Sequence, residues 1–309
     1  MRRLTLHILF FLLPPLLVLY FFPVSEKAIF AGIENDCAGR GKWVYQRLYH
    51  SKTPVDMAML GSSKTIHSVN SERLEPYLSG WHVANFGYCR YGRNLQLSLL
   101  KRILSEKKPK VVIMEVRAEE NPYSHPVYPY IATNGELLTN YPLFNKDWLS
   151  DEFTAAQYRL QLIQELLLQP DSSTTFSDSD KQEHSFQPLM EKASRDDLRN
   201  MKEKRQKGDQ RSSWKKKLDN TFPWHYLQQM AKLCEEEGVT LFFLYLPNYG
   251  VPLRQPVNIE RYREYGPVLL PPQAILDEPE NWADPNHLNY KGAELLTDWL
   301  GEELSTRVK

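Results

Sequence analysis

Four short apolar runs punctuate the chain, each bounded by turn residues: Val55–Gly61 (VDMAMLG), His82–Gly87 (HVANFG), Lys110–Val116 (KVVIMEV) and Val239–Pro247 (VTLFFLYLP). Continuous runs of this length read as strands buried on both faces. Between them the spacing turns helical, over Thr65–Leu78 and over Asn94–Glu106, where Leu95, Leu99 and Ile103 share one face. A further helix is predicted over Trp224–Glu237, stopped by Gly238 as a C-cap. Strands and helices alternating in this way predict an α/β domain with a parallel sheet covered on both faces.

The interval from about Tyr123 to Asn220 breaks the rhythm and is too long for a crossover, so it reads as an insertion. It opens with an aromatic, proline-rich stretch (NPYSHPVYPY) and continues into an amphipathic helix over Lys146–Leu168 carrying Phe153, Leu160, Ile163 and Leu167. From Asp171 to His184, ten of fourteen residues are Ser, Thr, Asp or Glu, too few apolar groups to hold one structure, which predicts a mobile loop. Met190–Lys217 then carries eleven Lys or Arg against five Asp or Glu. That excess fits a solvated helix face, or a basic flap that attracts an anionic glycan or a phosphate-rich membrane surface.

The N-terminus changes the picture most. Leu4–Phe22 is a 19-residue run whose only clearly polar members are Thr5 and His7, close to the length that spans a hydrocarbon layer. No small-x-small cleavage pattern follows it and no Cys stands in a lipobox context, which favours a retained anchor over a cleaved signal. Pro14 and Pro15 kink its middle. Arg2 and Arg3 precede it, so the positive-inside rule keeps the N-terminus cytoplasmic and sends the rest outward. The organisation expected is a transmembrane anchor (1–23), a connecting segment (24–51), a first half-domain (52–122), the insertion (123–220) and a second half-domain (221–309). Across the 309 residues, 38 basic side chains balance 38 acidic ones, so no global field steers the chain to nucleic acid. Cys37, Cys89 and Cys234 allow at most one disulfide.

Two segments carry candidate chemistry. Met59-Leu60-Gly61-Ser62-Ser63-Lys64-Thr65 lies at the C-terminal end of the first strand and opens a helix. In an open α/β sheet that edge is where ligands bind, and a serine N–H there sits at the positive end of the helix dipole. Taken alone, both serines also fit ordinary helix caps. Near the C-terminus, Asp284-Pro285-Asn286-His287 sets a carboxylate three residues before an imidazole, a spacing that lets Asp284 fix the tautomer of His287 and stabilise its protonated form. A helix-capping loop is the plainer reading, and metal ligation the least favoured, with no further His or Cys nearby.

Together the two segments resemble the SGNH, or GDSL, hydrolase superfamily, whose first block is Gly-Asp-Ser-x-Ser/Thr and whose last is Asp-x-x-His. The resemblance runs over Pro54–Asn121 and from Trp224 to the C-terminus. It implies a flavodoxin-like three-layer α/β/α sandwich, with Ser63 as nucleophile, His287 as general base and Asp284 as its partner, and no cofactor or metal. Ser62 stands where the family has Asp, and Thr65 fits the last position of the block. Asn85-Phe86-Gly87 is similar to the second block, although Arg90 stands where its oxyanion-hole glycine is sought and Gly92 lies two residues further on. The third block, Gly-x-Asn-Asp, is replaced by Arg117-Ala118-Glu119-Glu120-Asn121, so the oxyanion donor of that block must come from elsewhere. Asn85, the Gly87 N–H or Arg117, working with the Ser63 N–H, is the expected substitute; Arg117 could equally anchor a phosphate or carboxylate of the substrate.

An anchored domain of this kind with an incomplete third block looks like the envelope proteins that assist membrane-bound O-acyltransferases in acylating polysaccharides. The expected function is therefore a single-pass protein of the cytoplasmic membrane whose periplasmic domain transfers or hydrolyses an acyl, chiefly acetyl, group on an envelope glycan. Its partners would be that glycan and an acyl donor, supplied through a membrane O-acyltransferase. The alternative is a catalytically decayed scaffold that binds glycan or recruits the acyltransferase.

Overall fold

The apolar runs become strands whose polar residues stand only at or next to their ends: Asn85, Glu115 and Thr240. The protein's structure, a computed structural model, describes residues 7, 10–15, 22, 24–33, 39–138, 145–168, 186–207 and 211–308. Among them, β1 (Met57–Leu60), β2 (Val83–Asn85), β3 (Val111–Val116), β4 (Thr240–Tyr245) and β5 (Val268–Leu269) form one parallel sheet in the order β2-β1-β3-β4-β5. The register sets Met59 beside Asn85 and Ile113, so all the C-terminal strand ends lie along one edge. β5 went unpredicted because two residues leave no periodicity to read.

Alternation along each strand divides the core into two layers. Met57 and Met59, Val111 and Ile113, and Phe242 and Leu244 pack with Leu296, Leu300 and Leu304 of the C-terminal helix Tyr290–Ser305. Ala58 and Leu60, Val112 and Met114, and Phe243 and Tyr245 pack with Leu95, Leu99 and Ile103 of helix Arg93–Glu106 and with Leu227 and Met230 of helix Ser213–Glu236. The described residues of the 24–51 segment, read from the sequence as a connector, belong to this second layer through Phe30, Trp43, Val44, Tyr45 and Leu48.

Three predicted helices differ in detail. The helix expected over Thr65–Leu78 is broken: α1 covers Ser63–Ser68, Val69 is extended, and the Asn70 side chain accepts from Arg73 N to start a new turn at Ser71. An Asx residue after a β-branched one is a helix start, which wins over continued helical spacing. The helix expected from Trp224 begins at Ser213, inside the presumed insertion, and ends where Gly238 takes the left-handed φ of 67°. In helix Trp148–Leu168 only Ile163 of the predicted apolar face is buried; Phe153, Leu160 and Leu167 are exposed, and Ala155, Tyr158 and Leu162 face inward instead.

The basic segment contains α2 (Arg195–Gln206), held to the core by buried Leu198. The Asp171–His184 loop lies outside the described residues. So does most of the Leu4–Phe22 run, of which residues 10–15 are helical with Phe10 and Phe11 exposed. Among the described residues no helix is long and apolar enough to cross a membrane. Cys89 is disulfide-bonded and Cys234 is a buried free thiol.

Leu300 is fully buried between helix and sheet. Leu300→Ala is expected to lower unfolding free energy by about 2–5 kcal/mol in a denaturant titration, with an unchanged slope.

Candidate active site

β1 ends at Leu60 and the chain turns into α1 within two residues. Gly61 makes that turn possible, since a Cβ there would stand 1.9 Å from Thr65 Oγ1 and 2.7 Å from Glu115 Oε2. Ser62 is the N-cap: its Oγ accepts from Lys64 N at 3.1 Å. The same Oγ donates to the Glu115 carboxylate at 2.7 Å and accepts from Arg117 Nη2 at 2.7 Å. A hydroxyl has one donor and two lone pairs, so Ser62 Oγ is saturated and faces away from His287.

Glu115 is the hub beneath this cap. It sits at the C-terminal end of β3, fully buried, and accepts from Ser62 N at 2.6 Å, Thr65 Oγ1 at 2.8 Å and Arg117 Nε at 2.9 Å. Burial by itself would raise its pKa, but Arg117, Lys64 and the Ser62 N–H outweigh burial and hold the carboxyl down at about 2.

Ser63, the next residue, is free to point outward from the first turn of α1. Its Oγ lies 2.8 Å from His287 Nε2. His287 Nδ1 lies 2.8 Å from Asp284 Oδ2, and Asp284 Oδ1 accepts the backbone N–H groups of Asn286 and His287 at 2.6 and 3.1 Å. The two residues stand on the short antiparallel pair β6 (Trp282–Asp284) and β7 (His287–Leu288), whose tight turn aims both side chains at the sheet edge. Burial would raise the Asp284 pKa, yet its bonds to His287 and Asn286 bring it below the ordinary carboxylate value. An ionised Asp284 places the His287 proton on Nδ1, which leaves Nε2 to accept from Ser63. His67 lies edge-on to His287 with ring centres 5.3 Å apart and its Nδ1 donates to Gln187 O at 2.6 Å. Burial lowers its pKa, which favours the uncharged imidazole beside His287.

No family model, no curated protein and no solved structure matches the chain. The site therefore rests on its own geometry.

The expected oxyanion donors are placed differently from one another. Asn85 is fully buried and its Nδ2 donates to Thr65 O at 2.8 Å and Val69 O at 3.1 Å, so it caps the C-terminus of α1. The Gly87 N–H donates to Asn85 Oδ1 at 3.1 Å. Both are thus corrected from free donors to structural ones. Arg40, buried in the 24–51 segment, adds to this by donating to the Gly87 and Asn85 carbonyls. Arg117 spends Nε on Glu115 and Nη2 on Ser62, and lies over the Tyr91 ring at 4.2 Å. Among the described residues, the Ser63 N–H and Arg117 Nη1 have no partner.

Glu115, Lys64 and His67 were not singled out from the sequence. Glu115 left a legible signal, because one carboxylate in an otherwise apolar six-residue strand is buried only when paired.

Since the folded pKa of Glu115 lies below its usual value of 4.5, its stabilisation is full above that pH and is lost as pH falls toward about 2. Chemical denaturation from pH 7 to pH 2 is expected to show a loss of about 3 kcal/mol from this group. Glu115→Gln should be less stable at pH 7 and should lack that part of the acid decline.

Proposed function

We propose that this protein is an SGNH-type serine acyltransferase or esterase acting on a cell-envelope polysaccharide from the outer face of the cytoplasmic membrane. The observation that carries the reading is the continuous hydrogen-bonded line Ser63–His287–Asp284, 2.8 Å at each step, at the C-terminal edge of a parallel sheet. The flavodoxin-like order β2-β1-β3-β4-β5 supports it by setting the end of β1 in the middle of that edge, where Ser63 meets the separate β6–β7 pair. The Cys89 disulfide suits an oxidising compartment, and the apolar Leu4–Phe22 run suits a membrane anchor.

In this reading Ser63 Oγ attacks the acyl carbonyl while its proton passes to His287 Nε2. The leaving alkoxide takes that proton and departs as the alcohol, leaving acyl-Ser63. A sugar hydroxyl then gives its proton to His287 and its oxygen takes the acyl group, and Ser63 is reprotonated from His287. Water in place of the sugar makes the same cycle a hydrolysis. Asp284 holds the imidazole and stabilises it when charged. The developing oxyanion would be met by the Ser63 N–H and by Arg117.

A second reading, a decayed scaffold that binds glycan or recruits a membrane acyltransferase, is favoured by one observation: Asn85 Nδ2 and the Gly87 N–H are already committed.

A fluorophosphonate probe on the full chain in detergent separates the two. Labelling of wild type at Ser63, abolished in Ser63→Ala, supports the enzyme. With an acetyl ester as substrate, Asp284→Asn should cut turnover about ten-thousandfold. A well-folded wild type that takes no label and turns over no ester would favour the scaffold.

A further inference from the structure

Lys64, the residue after Ser63, lines a cavity of about 440 Å³, framed by the end of β3, the loop that follows β4 and the last turn of α2. Its lining includes Lys64, Arg117, Lys204 and Arg205, against one acidic residue, Glu119. The charges do not cancel. Glu119 is turned to Arg211 at 3.3 Å and Lys216 at 3.6 Å, and Glu115 below the floor is taken up by Ser62, Thr65 and Arg117.

Lys64 is 4 % exposed, and its Nζ makes one hydrogen bond, to the neutral carbonyl of Leu246 at 3.2 Å. An ammonium carries three donors, so this buried cation keeps two unspent among the described residues. Arg205, only partly buried, likewise donates to uncharged groups alone: Tyr249 O, Pro285 O and Asn286 Oδ1. Lys64 helps to hold Glu115 ionised but makes no ion pair within 4 Å among the described residues, the carboxylate being in contact with Ser62, Thr65 and Arg117 instead; a buried cation so placed is stabilised when an anion joins it. Burial depresses the pKa of Lys64, which an anion in the cavity would reverse.

Position links the cavity to the chemistry. Lys64 follows Ser63 in α1, and Arg205 grips Asn286, the neighbour of His287. We infer that this cavity binds an anionic substituent of the glycan, a carboxylate or a phosphate, through Lys64, Arg117, Lys204 and Arg205, and so holds a nearby sugar hydroxyl at Ser63. The inference rests on the acyl-transfer reading for its substrate, and it names that substrate's class: an acidic polysaccharide. The uronate and the phosphodiester-linked polymer share this chemistry.

The test is calorimetric titration of the full chain in detergent with a uronic acid hexamer, a glycerol phosphate hexamer and a neutral glucan hexamer. One or both anionic oligomers are expected to bind, more weakly as salt rises, with Kd at least tenfold higher in Lys64→Met and in Lys204→Glu. Which oligomer binds identifies carboxylate or phosphate as the source. Lys204 is exposed, so Lys204→Glu decides the matter if Lys64→Met does not fold. Equal affinity for the neutral hexamer, or unchanged Kd in Lys204→Glu, overturns the inference. A wild type that is labelled at Ser63 by fluorophosphonate yet binds neither anionic oligomer overturns it alone. A wild type that binds them but takes no label leaves the anion site standing and removes the acyl-transfer reading.

Discussion

A single buried carboxylate organises the edge of this sheet. Glu115 collects the Ser62 N–H, the Ser62 and Thr65 hydroxyls and the Arg117 guanidinium, and thereby pins the first turn of α1 to the end of β3. An uncompensated charge at that depth would be costly, so the four donors and the carboxylate require one another. The consequence is positional. With Ser62 saturated and its cap fixed, the next side chain, Ser63, has one way to face, outward along the strand edge.

What Ser63 meets there comes from the other end of the chain. The β6–β7 turn presents Asp284 and His287 as a preformed pair, and Arg205 of α2 fastens that turn through the Pro285 carbonyl and Asn286. On the far side, residues 186–193 cross α1 and β6: Gln187 bonds to Ile66 and His67, and Ala193 N donates to Trp282 O. The segment once set apart as an insertion therefore supports the site from two directions. It also supplies basic side chains beside a cavity whose own acidic groups are engaged elsewhere.

Much of this was legible in the sequence where the signal is local. Buried parallel strands show as unbroken apolar runs, and the Gly61-Ser62-Ser63 and Asp284-x-x-His287 segments stand out as short local motifs, which the structure brings together with Ser63 Oγ 2.8 Å from His287 Nε2. The roles of Asn85 and Gly87 were not legible: a strand-end amide can aim at the site or back at a helix, and α1 ending at Ser68 left the Val69 carbonyl for Asn85 to satisfy, together with the second lone pair of the Thr65 carbonyl, which already accepts from Val69 N. That helix end was itself hidden by helical spacing that ran on through Val69 to Leu78. The inward face of helix Trp148–Leu168 was misread because periodicity gives an apolar stripe but not what lies against it, here Tyr158 bonding back to Ile29 O. Glu115 carries a signal of its own in the sequence, a lone charge in a strand that otherwise reads VVIMV.

The central claim is that Ser63, and neither its saturated neighbour Ser62 nor any other hydroxyl, carries the acyl group. Rapid mixing of the full chain with an aryl acetate, acid quenching and peptide mapping by mass spectrometry tests it most directly. The account predicts one acetyl group, on Ser63, absent when Asp284→Asn or Ser63→Ala is mixed in the same way. Acetylation of Ser62, or a folded protein that carries no acetyl group at any time point, would contradict it.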